Sequence, residues 1–477
     1  MANSYETTTE PTRTTHAGNG LMGPILVGGF GTGVLMWLAW YVSNFPGLEV
    51  SAMRVAVAML VALVVGTGYA GFLAGPRIAG RVGLGAGALA GILDLLVLLA
   101  NLVRQPSQGE AGTVHPNAAL YVPGFIIGAA VAGAVCAFVA ARILPRKSTF
   151  EMPPGHDPWL ARFGLLTVVA LAPLVIIGAG VTSTDSGLSV AGWPHSDGYL
   201  MFLYPIELMS NPRVFLEHGH RLFGFFAGLT FLALTVYVLR RDRRRAVKIL
   251  AIVILVAIGV QAVLGGWRVL DGMRLLERSP YIAAFHAVLA QLIIGAAVSL
   301  AVALSASFKL GRASTDPAAR RLRLVATGLT HSLIVQLALG ALYRHLSAAD
   351  PAPKGATHIL YTHAGFSIVI VVMALLTGSF LILAAKRELG PYRVLRRCGT
   401  TMLASVMIQF ALGWAAFFLV LSADRGAPPL PEELPEADPV PLAEALVTMA
   451  HQANGALLIA MAAIAFVWAR RLCPRKR

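Results

Sequence analysis

An all-α polytopic membrane protein is the fold class this sequence predicts, and three observations predict it. Of the 477 residues, 57% are hydrophobic and only 13% charged, a balance outside that of ordinary soluble domains. Apolar runs repeatedly exceed the roughly 18–20 residues that a helix needs to cross a bilayer. Glycine and alanine are spread through those runs as close helix packing in lipid requires, and no alternating ten-residue pattern marks a barrel.

Twelve spans follow, at approximately 22–44, 53–75, 83–103, 119–141, 160–182, 213–239, 246–267, 281–305, 322–343, 357–385, 397–422 and 442–469. Residues 1–20 form a Thr-rich polar tail that matches neither a cleavable signal nor an Arg-rich transit peptide. Residues 21–145 make an accessory four-helix region whose one ionisable group at depth is Asp94, expected as a protonated acid bonded to neighbouring backbone. A Pro-rich stretch, 146–159, reads as a cytoplasmic linker. Beyond it, residues 160–310 and 311–477 divide into two four-helix bundles.

The net charge of +15 does not indicate a nucleic-acid partner, because the basic residues sit in short loops between spans instead of forming one patch. Placing the N-terminus in the cytoplasm puts most of the 38 Lys and Arg inside, including Arg240 to Arg245, Arg320 to Arg323, Lys386 to Arg397 and Arg470 to Arg477. Both termini are therefore expected in the cytoplasm, and a bacterial cytoplasmic membrane as the location. Cys136, Cys398 and Cys473 lie within the membrane or on its inner side, where no structural disulfide is expected.

The last eight spans repeat. A Q-x-x-[LI]-G pattern occurs at Gln261 to Gly265, Gln291 to Gly295, Gln336 to Gly340 and Gln409 to Gly413. A small residue four from a polar one suits close helix contact with an interhelical hydrogen bond, and the recurrence favours two four-helix halves. Two outside loops stand out: Thr182 to Asn211, rich in Gly, Ser and Trp, and the acidic Ser422 to Ala443. The first is long enough to serve as a lid or docking surface.

Orientation makes the histidines informative. His220, His286, His363 and His451 each stand a short way into a span that runs from outside to inside. His220 and His286 fall about eight and six residues after Pro212 and Pro280, hence on the order of 9–12 Å deep; the other two come out at about 9–15 Å by the same rise. One histidine on an apolar helix is ordinarily a packed, hydrogen-bonded residue. Four at matching depth, two per half, instead predict two bis-histidine haem sites, since neutral imidazoles from facing helices satisfy both axial positions of the iron.

The first of them lies in Glu217-His218-Gly219-His220-Arg221. Glu217 and His220 share a helix face, whereas His218 points nearly opposite and is not expected as a ligand. Glu217 has two readings: a carboxylate at the haem rim that takes a proton or stabilises positive charge, or an i,i+4 partner of Arg221. Arg221, Arg344 and His345 are candidates for seating haem propionates. His16, His115, His156, His195, His331 and His358 are expected to be solvated or locally bonded.

These residues resemble the haem A synthase family. The E-x-x-H-R motif, the preceding V-T-S-T-D-S-G-L-S-V-A-G-W-P (Val181 to Pro194) and Q-L-A-L-G-A-L-Y-R-H-L (Gln336 to Leu346) carry the resemblance, over about residues 158 to 473. It implies oxidation of a ring methyl of haem O to the formyl group of haem A. By position it implies that His220 and His286 hold the substrate haem, His363 and His451 hold a haem b, and Glu217 is the catalytic carboxylate. It also implies, as partners, a haem O synthase, an electron donor and the cytochrome oxidase assembly pathway, all met in the lipid bilayer. The outer loop lacks the cysteine pair of some members, Ser183 stands where arginine is common, and the first four spans fall outside the family's fold.

Two rivals belong to other classes. A dihaem b-type cytochrome carrying electrons across the membrane needs histidines at opposite faces, and a transporter needs broken helices and charges at the midplane. The shared depth of the four histidines and the sparse intramembrane charge favour the synthase.

Overall fold

The computed structural model of the chain describes residues 20–104, 113–145, 156–270, 279–348, 353–422 and 438–474. Most of the polar tail, of the 146–159 linker and of the acidic loop lies outside the described residues. Twelve helices are long and apolar enough to cross a membrane: α1 (Met22–Ser43), α2 (Ala52–Ala74), α3 (Ala79–Leu98), α4 (Ala118–Ile143), α5 (Pro158–Ser183), α6 (Pro212–Arg241), α7 (Arg245–Trp267), α8 (Pro280–Leu304), α9 (Pro317–Leu346), α10 (Ala356–Lys386), α11 (Tyr392–Ser422) and α12 (Leu442–Leu472). The protein is all-α and polytopic, and each expected span has its helix.

Local chemistry sets the helix starts. Asp157 accepts from the N–H groups of Trp159 and Leu160, Asn211 from Arg213 and Asp316 from Ala318, with proline at the first position of α5, α6 and α9. The Asp316 cap starts α9 earlier than hydropathy alone suggests, so Arg320 to Arg323 belong to its first turns and not to a loop. At the same end of the molecule His156, expected to be solvated or bonded, is buried with Nδ1 unpartnered. Burial and then the nearby Lys309 charge push its pKa down.

Helices α5 to α8 contact one another in a closed ring, and so do α9 to α12; α5 and α8 then meet α9 and α12 between the rings. The first four helices pack through glycine: a Cβ on Gly83 or Gly87 of α3 would strike the backbone of Gly133 or Ala129 on α4. This unit docks on the first ring through aromatic side chains of α1. Tyr41 stacks on Phe215 at 4.3 Å, Trp37 meets Phe226 at 4.7 Å, and Phe30 meets Phe163 at 5.5 Å between ring centroids. One continuous core joins the N-terminal unit to the first ring, and a second core fills the other ring.

Candidate functional site

In the second ring, α10 and α12 bring His363 and His451 face to face. Their ring centroids are 6.4 Å apart and their planes cross at 72°. Two metal–nitrogen bonds of roughly 2 Å, added to the distance from nitrogen to ring centre on each side, span about that separation. The rings border a cavity of about 290 Å³, lined mainly by apolar side chains, with Gln336, Gln409 and Trp414 in its wall and Arg344 and His345 on its border. A dry cavity with two opposed imidazoles and cationic groups beside them fits an iron porphyrin with propionates. His363 Nδ1 lies 3.0 Å from the Gln336 carbonyl, which leaves its Nε2 to face a metal.

In the first ring, His220 on α6 and His286 on α8 are close enough to interact electrostatically. His220 lies against the Leu174 carbonyl, and His286 Nδ1 is buried without a hydrogen-bond partner. Glu217, one turn before His220, is 4% exposed. It forms the i,i+4 pair: Oε1 accepts from Arg221 Nη2 at 2.7 Å, and Oε2 accepts from the Val190 N–H at 2.8 Å.

Arg221 gathers the loop between α5 and α6. Its Nη2 donates to the Val190 carbonyl at 2.6 Å, and its Nη1 to the carbonyls of Gly192 and His195 at 2.8 and 3.1 Å. That fork geometry is what arginine supplies and lysine does not. Arg221, expected as a propionate partner, is thus engaged by the loop. Trp193 docks on α7 where a side chain at Gly266 would collide with its indole. Tyr204 stacks on His218 at 4.3 Å and donates to Asp197 at 2.7 Å; burial, then that carboxylate, push its phenol pKa up. His218 faces this loop and Trp40, away from His220, as the two-residue spacing requires.

The rings meet at the same end. Arg344 on α9 donates to the Thr182 carbonyl at 2.7 Å and to Asp185 at 2.5 Å, and Gln452, beside His451, donates to Ser183 at 3.2 Å. Ser183, noted for the missing arginine, is therefore a contact point between halves. His345 belongs to α9 yet lies within electrostatic reach of Arg268 and of His286 in the first ring. Arg268, just past α7, also reaches His220 and His286 electrostatically. Sequence reading missed it, because one arginine in a short loop carries no pattern. Among the remaining groups, Asp94 is fully buried with both oxygens unpartnered, so the expected bond to backbone is not formed. His331 bonds only within its own helix, to the Thr327 carbonyl at 2.8 Å.

Fold and site together define a class: polytopic helical membrane proteins with imidazoles paired inside four-helix rings. The chain belongs to the COX15-CtaA family of cytochrome oxidase assembly proteins, whose family model matches residues 161–427. The match covers α5 to α11 and takes in His220, His286 and His363; it leaves α1 to α4 outside, and also α12 with His451. Over 112 residues the chain is 33% identical to a heme A synthase of Lysinibacillus sphaericus (strain C3-41), covering 23% of this chain and 35% of that protein. The alignment thus spans about a third of the length of the curated relative. No solved structure matches the chain.

Proposed function

We propose that the chain is a haem A synthase, an oxidoreductase that converts the ring methyl of haem O to the formyl group of haem A. The observation that carries this reading is the acid-bearing histidine helix of the first ring beside a second ring whose two histidines already stand a metal's width apart. Haem O is the substrate, held by His220 and His286 in residues 160–310. Haem b is the resident cofactor, held by His363 and His451 in residues 311–477, and when bound it supplies one-electron transfer between an external donor and the first ring.

The chain's own residues do the rest. Glu217 is the catalytic carboxylate: on the His220 face of α6, it holds or takes a proton while the methyl is oxidised, and Arg221 and the Val190 N–H keep it aimed until then. The Arg221-anchored loop, with Trp193 wedged on α7, excludes water from the ring edge. Arg344 and His345, which line the second-ring cavity, would hold haem propionates, with Arg344 shared with Asp185.

All four histidines occupy alternate helices at the end that carries this loop, which favours a synthase over a transmembrane electron wire. The positive-inside bias places that end outside a bacterial cytoplasmic membrane, with both termini in the cytoplasm. A haem O synthase and the cytochrome oxidase assembly pathway are the partners this activity implies. Extraction of haem from the purified full chain tests the reading: haem O or A beside haem B is expected, and haem B alone would reduce the protein to an electron carrier. Glu217→Gln should keep haem b and lose formyl formation; unchanged haem A output would remove the carboxylate from the mechanism.

A further inference from the structure

Each of the four histidines faces a glycine on the helix before it. A Cβ on Gly178, Gly265, Gly340 or Gly413 would lie 2.8, 3.2, 2.8 or 3.1 Å from Cε1 of His220, His286, His363 or His451 respectively. Carbon atoms pack best at about 3.5–4.0 Å, so alanine at any of the four would push the ring away. Four residues before the glycine stands Gln261, Gln336 or Gln409 in three cases and Leu174 in the fourth. The spacing has a helical reason. The carbonyl of residue i points at residue i+4, and a glycine there leaves that carbonyl open from the side.

At His363 the arrangement is reciprocal. The ring Nδ1 lies 3.0 Å from the Gln336 carbonyl, and the Gln336 carboxamide donates to the His363 carbonyl at 3.0 Å. Gln261 likewise donates to the His286 carbonyl at 2.9 Å. Gln409 instead lies over its histidine, its Nε2 3.2 Å from both ring nitrogens of His451 while Asn454 donates to its Oε1 at 2.8 Å. The remaining copy of the motif supplies a contrast within the molecule: Gly295 faces Ile459, with no imidazole near it.

We infer that the Q-x-x-x-G motif is a histidine cradle, in which Gly340 with Gln336 and Gly413 with Gln409 are positioning residues for the axial ligands of the second ring, Gly265 with Gln261 and Gly178 alone serving the first. The glycine admits the imidazole, the carbonyl four residues earlier accepts a hydrogen bond from Nδ1–H, and the Nε2 lone pair is left to bind iron. The inference rests on the haem sites proposed above. The cradle is complete at His363, whereas at His220 Leu174 offers its carbonyl but no side-chain amide, and His286 Nδ1 lacks a carbonyl partner. Such outer partners are worth roughly 10–100-fold in metal affinity. A strongly held cofactor in the second ring and an exchangeable haem in the first follow from that difference.

The test uses the full chain purified in detergent, with haem per protein, the oxidised low-spin spectrum and the haem b midpoint potential as readouts. Gly340→Ala and Gly413→Ala should weaken haem b binding roughly 10–100-fold or turn its spectrum high-spin, while Gly295→Ala keeps wild-type content and spectrum. Gln336→Leu, the milder change, should keep the haem and shift its potential and low-spin signal. A Gly340→Ala protein with wild-type haem and spectrum overturns the cradle, as does Gly295→Ala losing haem equally. Wild-type protein without any haem overturns the functional reading itself.

Discussion

Helix α6 in the first ring and helix α10 in the second hold their histidines against the same kind of glycine, yet they surround them differently. His220 has Glu217 three residues before it and Arg221 one after; His363 has Leu360 and Ala364 in those places. The acid and the arginine of α6 are tied to the loop, whereas the α10 histidine borders an apolar cavity with its Nδ1 already bonded. On the function proposed above, the difference means that one scaffold would serve two tasks. A holder needs a dry slot and a fixed tautomer; a reaction site needs a titratable group and a cover.

Removing a ligand tests that division most severely. His363→Ala or His451→Ala should abolish haem b in the second ring and leave haem O or A extractable from the first. Loss of both haems together, read by extraction and difference spectra, would break the division of labour. The next largest effect is on the loop. Arg221→Met leaves the Glu217 carboxylate buried without its charge partner and should destabilise the protein by about 3–5 kcal/mol. Arg344→Met removes a part-exposed pair with Asp185 and should cost about 1 kcal/mol or less. Thermal unfolding, with limited proteolysis between residues 184 and 211, compares the two, and equal losses would erase the contrast between a buried and a part-exposed ion pair.

A smaller effect is expected on the far side of α6. A side chain at Gly219 would collide with the Tyr41 ring, so Gly219→Ala should destabilise by about 1–3 kcal/mol through overpacking. Tyr41→Ala in the same background should recover part of the loss. The equivalent position in α10, Thr362, is exposed, and Thr362→Ala should change little. The smallest effect concerns pH. The Asp316 carboxylate is held below its ordinary range chiefly by the Ala318 N–H, which together with Arg387 outweighs desolvation. Its stabilisation is therefore full above the unfolded carboxylate pKa and lost as pH falls through the lower folded value. Hydrogen-exchange protection at the start of α9, taken relative to the intrinsic rate at each pH, should fall in acid, and Asp316→Asn should flatten that dependence.

Much of the site was readable before any contact was known. The expected depths of His220 and His286 came from a fixed rise per residue after a proline start, and His218 was set aside by helix geometry. The Q-x-x-x-G repeat was visible, but its meaning was not: Gln336 and His363 are 27 residues apart in the chain, and no pattern along one helix says which neighbour fills the space over a glycine. Arg221 and Arg344 were legible as cations near the membrane surface, and their actual partners were not, because Val190, Gly192 and Thr182 offer backbone carbonyls common to every residue.

The sequence by itself determined the twelve crossings, since lipid demands an apolar length and a backbone that satisfies its own hydrogen bonds. It also singled out four imidazoles, one on each of four alternate helices. Only the tertiary structure decided which rings meet, which cations are taken by the loop, and which Nδ1 atoms find a carbonyl. Those outcomes depend on helix rotation and separation at the scale of a single hydrogen bond, which hydropathy does not encode and close packing between helices sets.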